Sequence, residues 1–508
     1  MTRGLSRRRL LSGVGLLASG VALGGTAGAS AGSDSGAAEE LPLRWNRTYS
    51  DDTYNGAASV VEDGDQYVLV GQSGAQARGI PGWLFGTDAT SGQGEWMATI
   101  ARDDQEPPTF QVHVPAVDGE GYALLGVRLQ DGTASLVRTD EEGGIQWWET
   151  YDGAAEGGAS ASLLARDVVA TSDGYLIAGA RAQDGGASGL VVRVGPEGNE
   201  RSRTRLFTDQ QSEILSVVSD GDGYVGTAVV ESSSGGESSV RSIVFRADAD
   251  DELQWREEVT APTDGDPLGQ NQLVDVAADG DGYVAAGYAA SNSFDTVDGW
   301  VLSLDGSGQR RATRRLSPQP VTLLTSVATT DDGVVVAGQG SESATSRSAV
   351  GVVGELDDGL EADWSRTISV GTVNNVRDVI ATDDGGVALA GITQYQSRSA
   401  NPRTEAWLVK LGGADAPRVT ATAPGTDDPT GTDTATPTST PTPSPTPTAT
   451  PAPTASPTHS PTPTATADSA VTETDPRDTT ADGGPGFGVG TALAALGTTA
   501  LYERVRED

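Results

Sequence analysis

Seven times along the chain a short turn of Asp or Ser with Gly hands over to a run of small and β-branched residues. The copies are "DGDQYVLVGQ" from Asp63, "DGEGYALLGV" from Asp118, "SDGYLIAGA" from Ser172, "DGDGYVGTAV" from Asp220, "DGDGYVAAGY" from Asp279, "DDGVVVAGQ" from Asp331 and "DDGGVALAGI" from Asp383. Taking the residue after each turn as a marker (Tyr67, Tyr122, Tyr175, Tyr224, Tyr283, Val334, Val387), the intervals are 55, 53, 49, 59, 51 and 53 residues. A period of this length is the signature of a repeat architecture, and it constrains the fold more than any local preference does.

Each unit reads as four strands. A first apolar strand such as "ARDVVAT" from Ala165 meets the Asp-Gly turn, and a second such as "YLIAGA" from Tyr175 follows it. Asp-Gly supplies the positive backbone angles of a tight hairpin, and the aromatic or β-branched residue after it starts a strand. The small residues of "AAG" imply a close approach, expected between neighbouring sheets. "DGDG" lacks the full ligand spacing of a calcium loop, so the turn is read as a turn. Third strands recur seven times, from "GWLFGTD" at Gly82 to "AWLVKLG" at Ala406. Fourth strands, such as "GEWMATI" and "LQWREEV", recur only six times. The missing one has its counterpart at the other end of the repeats, where "LRWNRTYS" from Leu43 has the form of a fourth strand with no unit before it. A ring of four-stranded blades uses such a strand to close the circle and remove a free sheet edge. The expected fold is all-β: a seven-bladed β-propeller over residues 41–413, closed by its N-terminal strand.

Charge narrows the partners. Asp and Glu number 71 against 33 Lys and Arg, a formal charge of -38, and the one lysine is Lys410. Such a surface repels nucleic acid and anionic lipid. The balance resembles that of proteins from salt-loving archaea, where molar salt shortens the Debye length to about 3 Å. There is no cysteine, which removes disulfides, thiolate metal sites and cysteine nucleophiles. The two histidines are His113 and His459, too few for a multi-histidine metal site. No catalytic constellation, metal site or cofactor is implied.

Both ends read as addresses. "SRRRLLSGVGLLASGVALGG" carries Arg7 and Arg8 ahead of an apolar segment, with Ala27 and Ala29 bounding a cleavage site. It resembles a twin-arginine export signal over residues 1–32. Residues 414–484 are rich in Thr, Pro and Asp, too poor in apolar groups to fold. They read as a disordered stalk with an upper reach of roughly 200 Å at about 3.1 Å per residue, its threonines suited to glycosylation. The segment 485–508 opens with Pro485, Gly486 and Phe487, then an apolar run and a tail with Arg504 and Arg506. It resembles the PGF-CTERM signal of archaeal surface proteins, in which an archaeosortase removes the C-terminal segment and joins the new end to a membrane lipid. These resemblances imply the twin-arginine translocase and an archaeosortase as processing partners, a C-terminal membrane tether and a place on the cell surface.

Trp45, Trp96, Trp148, Trp255 and Trp364 fall in fourth strands, three or four residues after a polar turn. The pattern is similar to the tryptophan-docking repeats of quinoprotein-type propellers, in which the indole wedges between blades. Burying about 150–250 Å² of indole is worth roughly 4–6 kcal/mol gross. Trp83, Trp300 and Trp407 start third strands and are read as blade packing. The resemblance extends to the repeats and not to a quinone site.

First-to-second and third-to-fourth turns are short, so one face of the disk is trimmed. The other connections are long and emerge on the opposite face, where binding usually sits. Arg78, Arg181, Tyr395, Arg398 and Arg403 are the candidate contacts there. Asn46-Arg47-Thr48 is an N-glycosylation sequon placed in the closing strand. The leading functional expectation is a non-catalytic module binding an envelope protein or glycan. The alternative is a propeller enzyme, either a glycan hydrolase or lyase working through paired carboxylates at the centre or a quinone-linked oxidoreductase. Buried central carboxylates with raised pKa values would favour the enzyme. A purely structural envelope component is the third option.

Overall fold

The computed structural model describes residues 40–413, except 51–53, 75–80, 103–106, 129, 154–160, 184–185, 235–236, 263–269, 292–295 and 396–402. These residues form 28 strands, and there is no helix among them. The signal, stalk and sorting segments read from the sequence lie outside the described residues.

Seven antiparallel blades of four strands follow one another in chain order. Their first strands are Asn55–Asp63, Thr109–Pro115, Ser162–Thr171, Ser212–Asp220, Gln270–Asp279, Val321–Thr329 and Val373–Ala381. Each touches the first strand of the next blade, and Val373–Ala381 touches Asn55–Asp63, so the seven close a ring around the axis. The seventh blade takes its outermost strand from the other end of the chain: Leu43–Tyr49 pairs antiparallel with Arg403–Gly412, Thr48 opposite Trp407 and Asn46 opposite Val409. The ring of seven and its closing strand are as the repeat count predicts.

Every first strand carries a β-bulge against the second at the same place, after Ala57, Phe110, Ala165, Ile214, Leu273, Leu324 and Val376. The residue opposite is glycine in six blades, including Gly179, Gly287 and Gly338, and Ala228 in blade 4. The reason is contact. A Cβ at Gly287 would sit 1.9 Å from the Gln272 carbonyl oxygen, and one at Gly338 2.0 Å from that of Leu323. The recurring "AG" therefore serves a close approach inside one blade, and not the expected approach between sheets.

Blades are joined by a second device. In each fourth strand one residue directly follows a register shift: Trp96, Trp147, Ser202, Trp255, Ala312, Trp364 and Trp45. Four of these indoles lie over a left-handed glycine in the next blade's third-to-fourth turn. A Cβ on the glycine would meet the ring at 2.9 Å for Gly92 and Trp45, 3.6 Å for Gly143 and Trp96, 3.0 Å for Gly198 and Trp147, and 2.7 Å for Gly308 and Trp255. Trp147 and not Trp148 holds this position in blade 2. Trp148 faces Phe110 instead, with ring centroids 6.1 Å apart.

Where the tryptophan is missing, the glycine is missing too. Ser202 of blade 3 precedes a turn whose left-handed residue is Asp251, and Arg193 fills the gap, donating to Asp251 at 2.9 Å and lying 5.8 Å over the Tyr224 ring. Ala312 of blade 5 precedes Leu360, left-handed at φ 62°, which is buried in the cluster that Ala312 packs against. A large residue donated by one blade thus meets a small one in the next, and the reverse. The Ala312–Leu360 pairing predicts strong coupling. Ala312→Trp overfills the interface and Leu360→Gly empties it, each at a cost of about 1–3 kcal/mol. The double variant should recover at least about 1 kcal/mol of the summed loss, read from urea unfolding midpoints.

The tyrosines that follow the turns of blades 1 to 5 have their place as well. Tyr122 donates to Asp63 in the preceding blade's turn, and Tyr175 accepts from the Val117 amide at 3.3 Å. Trp45, Trp147 and Trp255 lie against Tyr67, Tyr175 and Tyr283 with centroids 6.1, 6.2 and 6.2 Å apart.

Candidate functional site

The first strands bring one side chain per blade to the axis, directly after the bulge: Ser59, Val112, Asp167, Ser216, Asp275, Ser326 and Asp378. From blade 3 round to blade 1, aspartate and serine alternate. An odd ring cannot alternate all the way, and the fault falls in blade 2, where Val112 takes the position and His113 beside it reaches Ser59.

The geometry explains the alternation. Asp167 accepts the Val217 amide at 2.8 Å and the Ser216 hydroxyl at 3.0 Å, both from blade 4. Asp275 accepts the Val327 amide of blade 6 at 2.8 Å, and Asp378 the Val60 amide of blade 1 at 2.9 Å. Each carboxylate therefore staples its own blade to the next, and Asp378 staples the seam where the two ends of the repeat array meet. Ser216 also reaches Asp275 at 3.0 Å, and Ser326 reaches Asp378 at 3.2 Å while accepting the Val379 amide. Ser326 is a hydrogen-bonding neighbour of Asp275 as well, and Ser59 of Asp378.

The three aspartates keep some open surface at the axis but are enclosed by the strands around them, and this enclosure sets their protonation. Burial pushes Asp167 up to about 7, the charge of Asp275 adding to it and the Val217 amide opposing. Asp378 rises to about 6 for the same reason, with the Val60 amide opposing. Asp275 is raised by burial against the Val327 amide and the serine hydroxyls. His113, buried beside Ser59, is pushed down to about 4, so it is neutral near pH 7. Its Nε2 faces the Val68 carbonyl at 3.0 Å and its Nδ1 the Ser59 hydroxyl at 3.2 Å. A carbonyl only accepts, so Nε2 carries the proton and Nδ1 accepts from Ser59.

One residue before the ring, at the bulge, stand Ala58, Gln111, Arg166, Leu215, Val274, Thr325 and Arg377. Arg166 is held by the buried carboxylate of Glu213 from the next blade. Two residues beyond the ring the position is apolar in every blade, from Val61 and Val114 to Ile380. The axis therefore passes from a mixed polar level through the Asp–Ser level to an apolar one.

The loop-face residues read from the sequence are only partly brought together. Tyr395 and Arg403 are cross-strand partners in blade 7, with Arg403 donating to Ser50 at 2.5 Å and pairing with Glu405 at 2.7 Å. Arg181 stands apart in blade 3, its Nε donating to the Gly153 carbonyl at 2.7 Å. Arg78 and Arg398 lie outside the described residues, as do Arg7, Arg8, Ala27, Ala29, Pro485, Gly486 and Phe487. Asn46 is half-buried and its carboxamide oxygen accepts from the Trp407 indole at 2.7 Å. The Asp–Ser ring was missed from the sequence, although its signal is there: "ASVV", "RDVV", "LSVV", "VDVA", "TSVA" and "RDVI" recur at the period of the turns.

No protein-family model matches the chain, and no curated protein matches it. Solved structures that resemble it include quinohemoprotein alcohol dehydrogenase ADHIIG from Pseudomonas putida HK5, at 12% identity and TM-score 0.40 over 76% of this chain and 78% of that one. Another is the β-propeller domain of the trilobed protease from Pyrococcus furiosus, at 10% identity and TM-score 0.39 over 75% and 99%. A third is Sqt1 from Chaetomium thermophilum, at 11% and 0.39 over 72% and 87%. The likeness is one of fold, and no site is transferred from it. What fold and axis define together is a seven-bladed β-propeller whose blades are stapled at the centre by side-chain carboxyls.

If the staples hold the blades, Asp167→Ala strands the Val217 amide and removes an acceptor from Ser216. We expect a loss of about 2–4 kcal/mol, seen as a lower urea midpoint with an unchanged slope.

Proposed function

We propose that this protein is an exported, membrane-tethered cell-surface propeller, acting as a non-catalytic module that binds an envelope protein or glycan through its loop-rich face. The observation that carries this reading is the way the axial carboxylates are used. Asp167, Asp275 and Asp378 each turn an oxygen to a backbone amide of the neighbouring blade, so the groups best suited to acid–base chemistry are engaged in joining blades. Long connections on a rigid frame are then the surface left to vary, with Tyr395 and Arg403 as the pair there. The address rests on the sequence signals: Arg7 and Arg8 for export, and Pro485-Gly486-Phe487 for sorting by an archaeosortase.

The test is cross-linking mass spectrometry on intact cells in native salt. It needs a carboxyl-directed reagent, because Lys410 is buried against Asp384 and Thr382 at 2.6 Å. We expect reproducible links from the loop face to one envelope component. Links confined to the stalk, with the loop face bare, would count against a protein partner and direct attention to a glycan.

One observation favours the enzyme reading enough to keep it. Asp167 and Asp275 are half-buried, raised in pKa and bridged by one hydroxyl, and such environments also occur at catalytic acids. Under that reading Asp167→Asn or Asp275→Asn abolishes release of sugar from envelope glycans while the fold survives. Under the binding reading neither variant alters any such release.

A further inference from the structure

The hydrogen bonds of the axial ring do not have enough protons. Ser216 faces Asp167 and Asp275, Ser326 faces Asp275 and Asp378, and Ser59 faces Asp378 and the Nδ1 of His113, so three hydroxyl protons serve six contacts. The amides cannot make up the difference, since each already points at a carboxylate or at Ser326. His113 cannot either, because its one ring proton is given to the Val68 carbonyl. With every aspartate ionised, half of the contacts set lone pair against lone pair.

We propose that Asp167, Asp275 and Asp378 carry protons in the closed ring, and that losing them weakens the contacts between first strands, including the seam that Asp378 staples: the ring is a proton-dependent clasp. A carboxyl proton on Asp378 lets Ser59 accept from it while donating to His113. A proton on Asp167 or Asp275 likewise completes the contacts of Ser216. Once the protons leave, like charges face one another at short range in an enclosed site, and each hydroxyl can satisfy only one of its two neighbours. Other charged groups on the surrounding strands do not compensate. Arg166 is held by Glu213, Glu62 accepts the Asp383 amide at 2.8 Å, Asp220 pairs with Arg246, and Arg377 is exposed at its bulge.

The sign of the pH effect follows. Burial raises the folded-state values of all three groups, Asp378 to about 6 and Asp167 to about 7, so as the pH rises from the ordinary aspartate value near 4 through these raised values the folded protein holds protons that the unfolded chain has lost. These groups therefore favour the fold at the acid end of that window. Their contribution is lost as the pH rises through it and is level above.

The experiment uses the full chain in its native salt, wild type and Asp378→Asn. Asparagine suits this position: its oxygen can accept the Val60 amide and its NH₂ can donate to a neighbouring serine hydroxyl, as the protonated acid does, without titrating. Infrared spectroscopy should show a buried carboxylic-acid band in the wild type at about pH 6, where ordinary carboxylates are ionised, fading by about pH 8. The thermal midpoint should fall over the same interval by at least about 3 °C. Hydrogen exchange at the Val60 amide and along 43–49 should quicken beyond its intrinsic pH dependence. Asp378→Asn should remove part of the band, flatten the fall and slow the exchange at the seam. Absence of the band at about pH 6, or a midpoint flat or rising toward pH 8, would overturn the proposal. Both are read on the wild type, so the test stands even if the variant does not fold.

Discussion

In five of the seven blades a carbonyl of the first strand presses against the glycine opposite the bulge, and that contact sets up the rest of the ring. A bulge at this point leaves one residue unpaired and turns the next toward the neighbouring blade. It is this turned residue that reaches across as Asp167, Asp275 or Asp378 and takes a backbone amide from the blade beside it. Without room for the bulge there would be no staple. The room comes from Gly71, Gly179, Gly287, Gly338 and Gly391, where any Cβ would lie about 2 Å from a carbonyl oxygen.

Toward the rim the same problem, holding one sheet to the next, is solved by volume. An indole over a left-handed glycine is the commonest solution, and the two interfaces that lack an indole show that it is a fit between two positions. Ser202 and Ala312 are small, and the turns that receive them carry Asp251 and Leu360 in a backbone conformation that normally calls for glycine. Asp251 recovers the loss through Arg193, and Leu360 through apolar packing. A cavity of about 140 Å³ remains beside this second interface, between Leu316 of blade 5 and Val336, Val352 and Trp364 of blade 6.

The axis and the loop face have different duties. At the axis, enclosure raises carboxyl pKa values, and the carboxyl groups take backbone amides of the neighbouring blades. On the loop face Tyr395 and Arg403 meet because they are opposite one another in the last hairpin, while Arg181 belongs to another blade and is tied to its own connection. Under the proposed function, binding there would depend on connections of unequal length set on a frame that the axial and rim contacts hold together.

The repeat period, the Asp-Gly hairpins and the displaced strand at Leu43 were enough to establish a closed ring of seven four-stranded blades, because spacing and strand count are properties of the chain itself. The alternation of Asp and Ser after each bulge is written there as well, but it means nothing until the bulge is known to turn those residues toward a neighbour. That Trp147 and not Trp148 docks, that "AG" answers a carbonyl within its own blade, and that Leu360 stands in for an absent indole were decided only in three dimensions. Each depends on which of two adjacent residues faces which sheet, and a one-residue register shift reverses that choice without altering composition or period. Proton sharing along the ring is the furthest from the sequence, since it arises only when side chains some fifty residues apart in the chain are enclosed together around one axis.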